Sequence, residues 1–447
     1  MTADIAAMLP DRGAGPRWLG ARLSIMMFLQ YAVPGIWVPV LGRYLLAPQA
    51  EGGLGFSNAE LGLVMGLAAT IGALAAPLLV GQIADRWFST ERVMGVMLIA
   101  AGIIIYMTAS QTEFGPWLIL SIAYAIVYTP TMMLSNSLAF AHMTDPDRQF
   151  PRVRVWGTLG WVVVAWVFPM VWLQTGLGFT WKPPFLVGSE VVGVTSRLVD
   201  ALRAAGIIAV CYGLYCLTLP NTPPKRKAAA PWAFLKAFGL FRKPSFVVLM
   251  VTGLLFLPIH QIYFMQTGTF LSRIGLRDAD ILPAMSLGQI GEIFMMIVLG
   301  MMLKRLGFRW VLVIGGAAYF LRYLIFGTPG LPVEVVVASQ ALHGVCFACF
   351  LAASYIYVDH LAEADIRHSA QQVFGLVIGG GGPILGGWLN GRLARWFAVA
   401  GIEPGAPVGI DYMAFWYVLA AIGLVATLGL ALFFRSDIKA KAPETPA

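Results

Sequence analysis

Long apolar runs alternate with short polar punctuation along the whole chain. About twelve runs have the length of a bilayer-crossing helix, roughly 20 residues. In the first half they cover 22–48, 57–84, 92–111, 115–141, 153–176 and 197–219. In the second they cover 245–272, 280–303, 309–328, 332–358, 368–396 and 411–435. They are too continuously apolar for the alternating ~10-residue strands of an outer-membrane barrel. Backbone in lipid must satisfy its own hydrogen bonds. The pattern therefore predicts an all-α polytopic membrane protein. It breaks over 174–203, where Lys182, Pro183, Pro184 and Glu190 predict a long loop with a short helix. Residues 1–21 are polar, and the first run is too long for the core of a cleavable signal, so it is expected to stay as an anchor.

Basic residues give the orientation. The linker at 221–244 carries Lys225, Arg226, Lys227, Lys236, Arg242 and Lys243, with no acid from Thr222 to Ser245. Such a loop stays cytoplasmic. Six spans precede it, so the N-terminal segment is expected on the same side, as is the tail at 436–447. The linker divides a six-helix bundle at 22–220 from another at 245–435. A weak repeat supports the division: GQIADRWFST from Gly81 and GMMLKRLGFR from Gly300 each close the second span of a half. Two such halves are the plan of a transporter that rocks about a midplane site.

Composition narrows the partners. Of 447 residues, 59% are hydrophobic and 12% charged, against about 25% charged in soluble domains. The partner over most of the surface is the lipid bilayer. The net charge of +8 lies in membrane loops, so nucleic acid is not implied. Cys211 and Cys216 share one apolar run, Cys346 and Cys349 another. Neither pair has ligand partners nearby, so packing thiols are expected, with no metal and no cofactor. No HExxH, paired carboxylate or GxSxG in a span suggests an intramembrane enzyme. Glycines cluster on the eleventh span from Gly375 to Gly391, which suits close helix packing or a hinge.

The candidate chemistry centres on Glu292, the one charge between Leu282 and Met302. A charge at the bilayer centre costs about 2.5–3.5 kcal/mol on insertion scales and normally faces a wet cavity or a partner. Gln289 lies three residues earlier on the same helical face. The pair suits a polar ligand, a proton, or both; the structural alternative is a buried pair with Arg322. Arg154, Thr158 and Trp161 are spaced i, i+4, i+7 and form one stripe. It suits a polar ligand with a flat apolar part, although Arg154 can also snorkel at a helix end. Gln261 follows Pro258 and His260, where a broken ladder can free carbonyls. His343 is titratable in the physiological range, or a hydrogen-bonded core residue. Asn136 is left open.

Several motifs carry a resemblance. GQIADRW, Gly81 to Trp87, resembles the loop 2–3 signature of the major facilitator superfamily, with Asp85 and Arg86 as a gate or interface pair. FLQYAVPGIW (28–37), YTPTMMLSNS (128–137), FPRVRVWGTLGW (150–161), MSLGQIGE (285–292), RHSAQQVF (367–374) and ILGGWLNG (384–391) resemble the bacterial nucleoside:proton symporters of that superfamily. The resemblance implies the major facilitator fold, twelve helices in two six-helix halves, in a bacterial inner membrane with both termini cytoplasmic. It implies a monomer that imports a nucleoside with a proton. Its ligand contacts carry over to Arg154, Thr158, Trp161, Gln261, Phe264, Gln289, Glu292, His343 and Phe347, with Glu292 and His343 as proton-coupling candidates. The chain departs from the family pattern at three places. Phe264 stands for Asn, His343 for Tyr, and Ala348 for an acid implicated in proton coupling. A sugar, glycoside or related metabolite, moved with or without a proton, is the alternative cargo. A ligand-binding sensor without transport is the alternative of another class.

Overall fold

The computed structural model describes residues 18–79, 88–181, 185–223, 238–363, 367–399 and 409–437. Eleven helices among them are long and apolar enough to cross a membrane. The first six are α1 (Leu19–Leu46), α2 (Asn58–Pro77), α3 (Thr90–Thr108), α4 (Phe114–Ala141), α5 (Arg148–Leu173) and α6 (Val194–Cys216). After the linker comes α7 (Pro244–Arg273). The longest helix, Ile281–Gly327, breaks at Gly307 (φ 72, ψ 170), a conformation that favours glycine. Its two parts are α8 (281–306) and α9 (308–327), which brings eleven to twelve. The last three are α10 (Val333–Leu361), α11 (Ser369–Trp396) and α12 (Tyr412–Phe433).

Local chemistry sets the helix ends. Ser57 and Glu60 form a reciprocal capping box at the start of α2, with Ser57 N–H donating to the Glu60 carboxylate at 2.7 Å. Asp411 caps α12 by accepting from the N–H groups of Met413 and Ala414. Pro34, Pro130 and Pro258 lie inside α1, α4 and α7. Within the longer spans, Leu63–Leu67, Phe347–Ala352 and Val377–Gly381 are wound as π-helix, a geometry common at functional sites.

The break at 174–203 holds more than a loop and a short helix. Strand β1 (Gln174–Phe179) pairs antiparallel with β2 (Leu186–Glu190), and the first turn of α6, Val194–Arg197, follows. The strands QTGLGF and LVGSE lack a clean alternation of apolar and polar positions, so no strand signal was legible. Long-range bonds fix the hairpin instead. Arg277 donates to Gly188 O at 2.6 Å, and Glu190 accepts from Ala279 N–H at 2.9 Å.

Contacts of this kind join the two halves at the end of the bundle opposite the linker. Arg43 of α1 grips Asp278 with Nε to Oδ1 at 2.9 Å, and Thr195 donates to the same carboxylate at 2.7 Å. Gln266 of α7 donates to both Asn58 and Asn390 at 2.6 Å, and Asn390 donates to Asn58 O at 3.0 Å. Trp166 of α5 donates to Ser286 of α8 at 2.7 Å. The deepest of these bonds, Thr70 to Gly380 O, lies part-way along α2. A cavity of about 880 Å³ opens beside this seam, lined by Arg43, Glu51, Asn58, Arg273, Arg395 and Tyr412 among others.

The helices α2 and α11 meet backbone to backbone. A Cβ built on Gly62 would strike Gly387 O, and one built on Gly387 would strike Gly62 O. Neither obstacle is a side chain that can turn away. Gly387→Val is expected to cost about 1–3 kcal/mol by overpacking. A lowered unfolding midpoint in detergent, relative to the parent, checks it; an unchanged midpoint would mean the helices separate freely here.

Candidate functional site

The site is assembled from both halves. On the N-terminal side, α1 is held by Gln30, which is fully buried. Gln30 Nε2 donates to Thr131 at 3.0 Å, its Oε1 accepts from Tyr212 at 3.1 Å, and its carbonyl accepts from Tyr128. The next residue, Tyr31, is thereby fixed against α5. The Arg154 guanidinium lies 4.1 Å from the centre of the Tyr31 ring. Gly157 makes room for this stack, since a Cβ there would meet both Tyr31 and Arg154. Thr158 is buried one turn further along, and Trp161 packs its ring over Gly35 of α1. The predicted Arg154–Thr158–Trp161 stripe is thus a real face of α5, turned toward α1.

On the C-terminal side, Glu292 is half-buried in α8. It makes no hydrogen bond or ion pair with any described residue. Arg154 likewise has no acid partner among the described residues and rests on the Tyr31 ring. Gln289 is 7% exposed, and its Oε1 is buried without a partner. A buried amide oxygen without a donor is costly. A free carboxylate, a free guanidinium and an unpaired amide are three groups lacking what a polar ligand supplies.

The aromatic residues close the site. Phe264 of α7 meets Trp161 edge to face at 6.3 Å, so the two halves touch through these rings. Behind Phe264 lie His260 and His343, at 5.6 and 5.5 Å from its ring. Gln261 donates to Met65 O of α2 at 3.3 Å and borders a second, smaller cavity with Trp37, Met65 and Tyr124. Phe347, half-buried, opens the π-helical turn of α10, and Ala348 beside it is fully buried.

Arg322 is not the partner of Glu292, which removes the structural alternative for that carboxylate. It is wholly buried and donates to His343 Nδ1 and to Tyr323 Oη, each at 2.9 Å. The sequence showed both mid-span charges but not that α9 turns Arg322 toward α10. Tyr31, stacked on Arg154, and His260, beside Phe264, join the candidate residues only in the structure. Asn136 has a buried, unpartnered Oδ1. Asp85 and Arg86 lie outside the described residues. Cys216, Cys346 and Cys349 are buried free thiols, and Cys211 is an exposed one.

Membrane-length helices along the described residues, with uncommitted polar groups between them, define a transporter of the major facilitator fold. The sequence profile of the nucleoside H+ symporter family matches residues 18–439, and the chain belongs to that family. It is 32% identical to the Escherichia coli K12 protein named "Putative nucleoside transporter YegT" over 93% of this chain and 94% of that one. It is 27% identical to the nucleoside permease NupG of the same organism, over 93% of this chain and 96% of that one. The crystal structure of nucleoside transporter NupG superposes with a TM-score of 0.76 at 25% identity, covering 93% of this chain and 99% of that one.

Proposed function

We propose that this protein imports nucleosides with protons across the bacterial inner membrane, as a monomer that alternates access between its two six-helix halves. The observation that carries the reading is the set of groups without a hydrogen-bond or ion-pair partner among the described residues: Glu292 and Gln289 from one half, Arg154 from the other. Ribose hydroxyls both donate and accept, so they match a carboxylate and an amide together. Trp161 and Phe347 offer ring faces to the base, and Gln261 and Thr158 orient it. Glu292 carries the proton, taken up outside with the substrate and released inside. Placing the basic linker in the cytoplasm puts the Arg43–Asp278 seam at the outer surface. The arrangement described here is then the one closed to the outside. Asp85 and Arg86 serve the gate on the cytoplasmic side.

A second cargo is favoured by particular residues. Phe264 and Ala348 put apolar groups where the family pattern has Asn and an acid, which suits a less polar ligand or an uncoupled carrier. The test is uptake into proteoliposomes of labelled adenosine, uridine and a disaccharide, with and without an inward proton gradient. Nucleoside uptake raised at least fivefold by the gradient is expected. Disaccharide uptake without nucleoside uptake, or binding without flux, would replace this reading.

A further inference from the structure

Arg322 is a permanent cation buried in α9 with no carboxylate among its contacts. Three tyrosine rings surround it, with Tyr263 at 4.3 Å, Tyr323 at 4.8 Å and Tyr319 at 5.5 Å from the guanidinium carbon. Nη2 donates to Tyr323, whose hydroxyl donates onward to Ile259 O at 2.5 Å. Nη1 donates to His343 Nδ1 at 2.9 Å, and Nε is buried with no partner. Cation–π contacts and two good bonds hold the group, yet it still costs more than an apolar residue would.

The bond to His343 has a chemical consequence. Arginine has only donors, so Nδ1 must be the acceptor. The imidazole is then neutral, with its hydrogen on Nε2. An imidazolium here would set N–H against N–H and two positive charges in contact. The rest of the surroundings agree. From α7, His260 stacks on His343 at 4.9 Å and Tyr263 at 4.8 Å. From α8, Gly288 lies against the imidazole and the Gly291–Glu292 backbone against Gly344, which follows His343. From α9 come Arg322 itself and Tyr319, whose hydroxyl is 2.8 Å from His260 Nδ1. The Glu292 backbone lies against Gly344, and the Glu292 carboxylate makes no bond to the ring.

We propose that Arg322 is a positioning residue that locks His343 in the neutral Nε2–H form, so that it presents a single donor to an acceptor atom on the substrate's base. Recognition by His343 is then insulated from pH, and Glu292 is left as the titrating group of the site. This deepens the nucleoside reading and rests on it for the ligand, but not for the tautomer. It also explains how a histidine can stand where the family pattern has tyrosine: each offers one neutral donor. Under this proposal His343 is not a proton carrier.

Two measurements decide it. In the purified full-length transporter, ¹⁵N ring-labelled histidine, with His343 assigned through His343→Gln, should keep the neutral Nε2–H pattern from about pH 5.5 to 8. An ordinary histidine changes charge in that window, near 6.5. Protonation of His343 there, or the Nδ1–H tautomer, would overturn the proposal. The second reads the bond itself. In Arg322→Gln the side-chain oxygen can accept where the guanidinium could only donate, so the Nδ1–H tautomer should appear in the same spectrum, and uridine and adenosine should bind about tenfold more weakly, the loss of about one hydrogen bond. An Arg322→Gln spectrum with the same single Nε2–H tautomer as the parent's would overturn it. If Arg322→Gln does not fold, the spectrum of the parent still decides. If neither nucleoside binds while the tautomer holds, the cargo reading fails and the positioning role stands.

Discussion

Glu292→Gln is expected to lower uridine affinity about 5- to 10-fold and to abolish stimulation of uptake by an inward proton gradient. The first figure is the difference, about 1–1.5 kcal/mol, between a charge-assisted hydrogen bond and the neutral one that replaces it. The second follows because glutamine cannot take up a proton. Folding should change little, because the carboxylate has no partner in the protein to leave unsatisfied. That contrast makes the experiment clean: binding and coupling fall together while the unfolding midpoint stays within a few degrees. Equal uptake and an unchanged pH profile in the variant would remove Glu292 from both roles.

Asp278→Ala is expected to shift the transporter toward the state open to the outside. Asp278 is 6% exposed and receives both Arg43 and Thr195 across the seam between the halves. Removing one partner of a buried ion pair costs about 3–5 kcal/mol, because the other charge is left unpaired. Here Arg43 keeps Glu51, at 3.0 Å and half exposed, so the smaller end of that range applies. About 3 kcal/mol corresponds to a shift of roughly a hundredfold between the two states. Distances between spin labels on the outer ends of α1 and α7 should lengthen, and uptake should fall. The exchange Arg43→Asp/Asp278→Arg should restore part of the closed population. Labels that report the same distances in Asp278→Ala as in the parent would show that the other bonds across the seam, among them those of Asn58, Gln266 and Asn390, hold it closed without this ion pair.

The seam was invisible in the sequence for a physical reason. Arg43 and Asp278 are 235 positions apart, and each reads locally as an ordinary loop charge. Gln266 and Asn390 read as isolated polar residues in apolar runs. Only docking of the halves turns them into one hydrogen-bonded layer. The site itself was better legible. An apolar helix makes any charge conspicuous, so Glu292, Arg154 and Arg322 could be picked out one by one. The stripe of Arg154, Thr158 and Trp161 followed from helical spacing. What spacing could not give was partnership: Arg322 turns to His343, and Arg154 rests on Tyr31. The hairpin at 174–190 was missed because its strands are short, rich in glycine and held by Arg277 and Glu190 rather than by a hydrophobic face.

The amino-acid sequence by itself determined that the chain lies in lipid and, to within several residues, where its membrane-length helices fall. These are one-dimensional properties, because a bilayer tests each stretch of about 20 residues for its transfer energy without reference to the others. The tertiary structure decided which polar groups satisfy one another and which are left for a ligand. That depends on rotation of each helix about its axis and on close approach at glycines such as Gly62 and Gly387. A rotation of a few tens of degrees changes no hydropathy, yet it separates a buried pair from an open binding site.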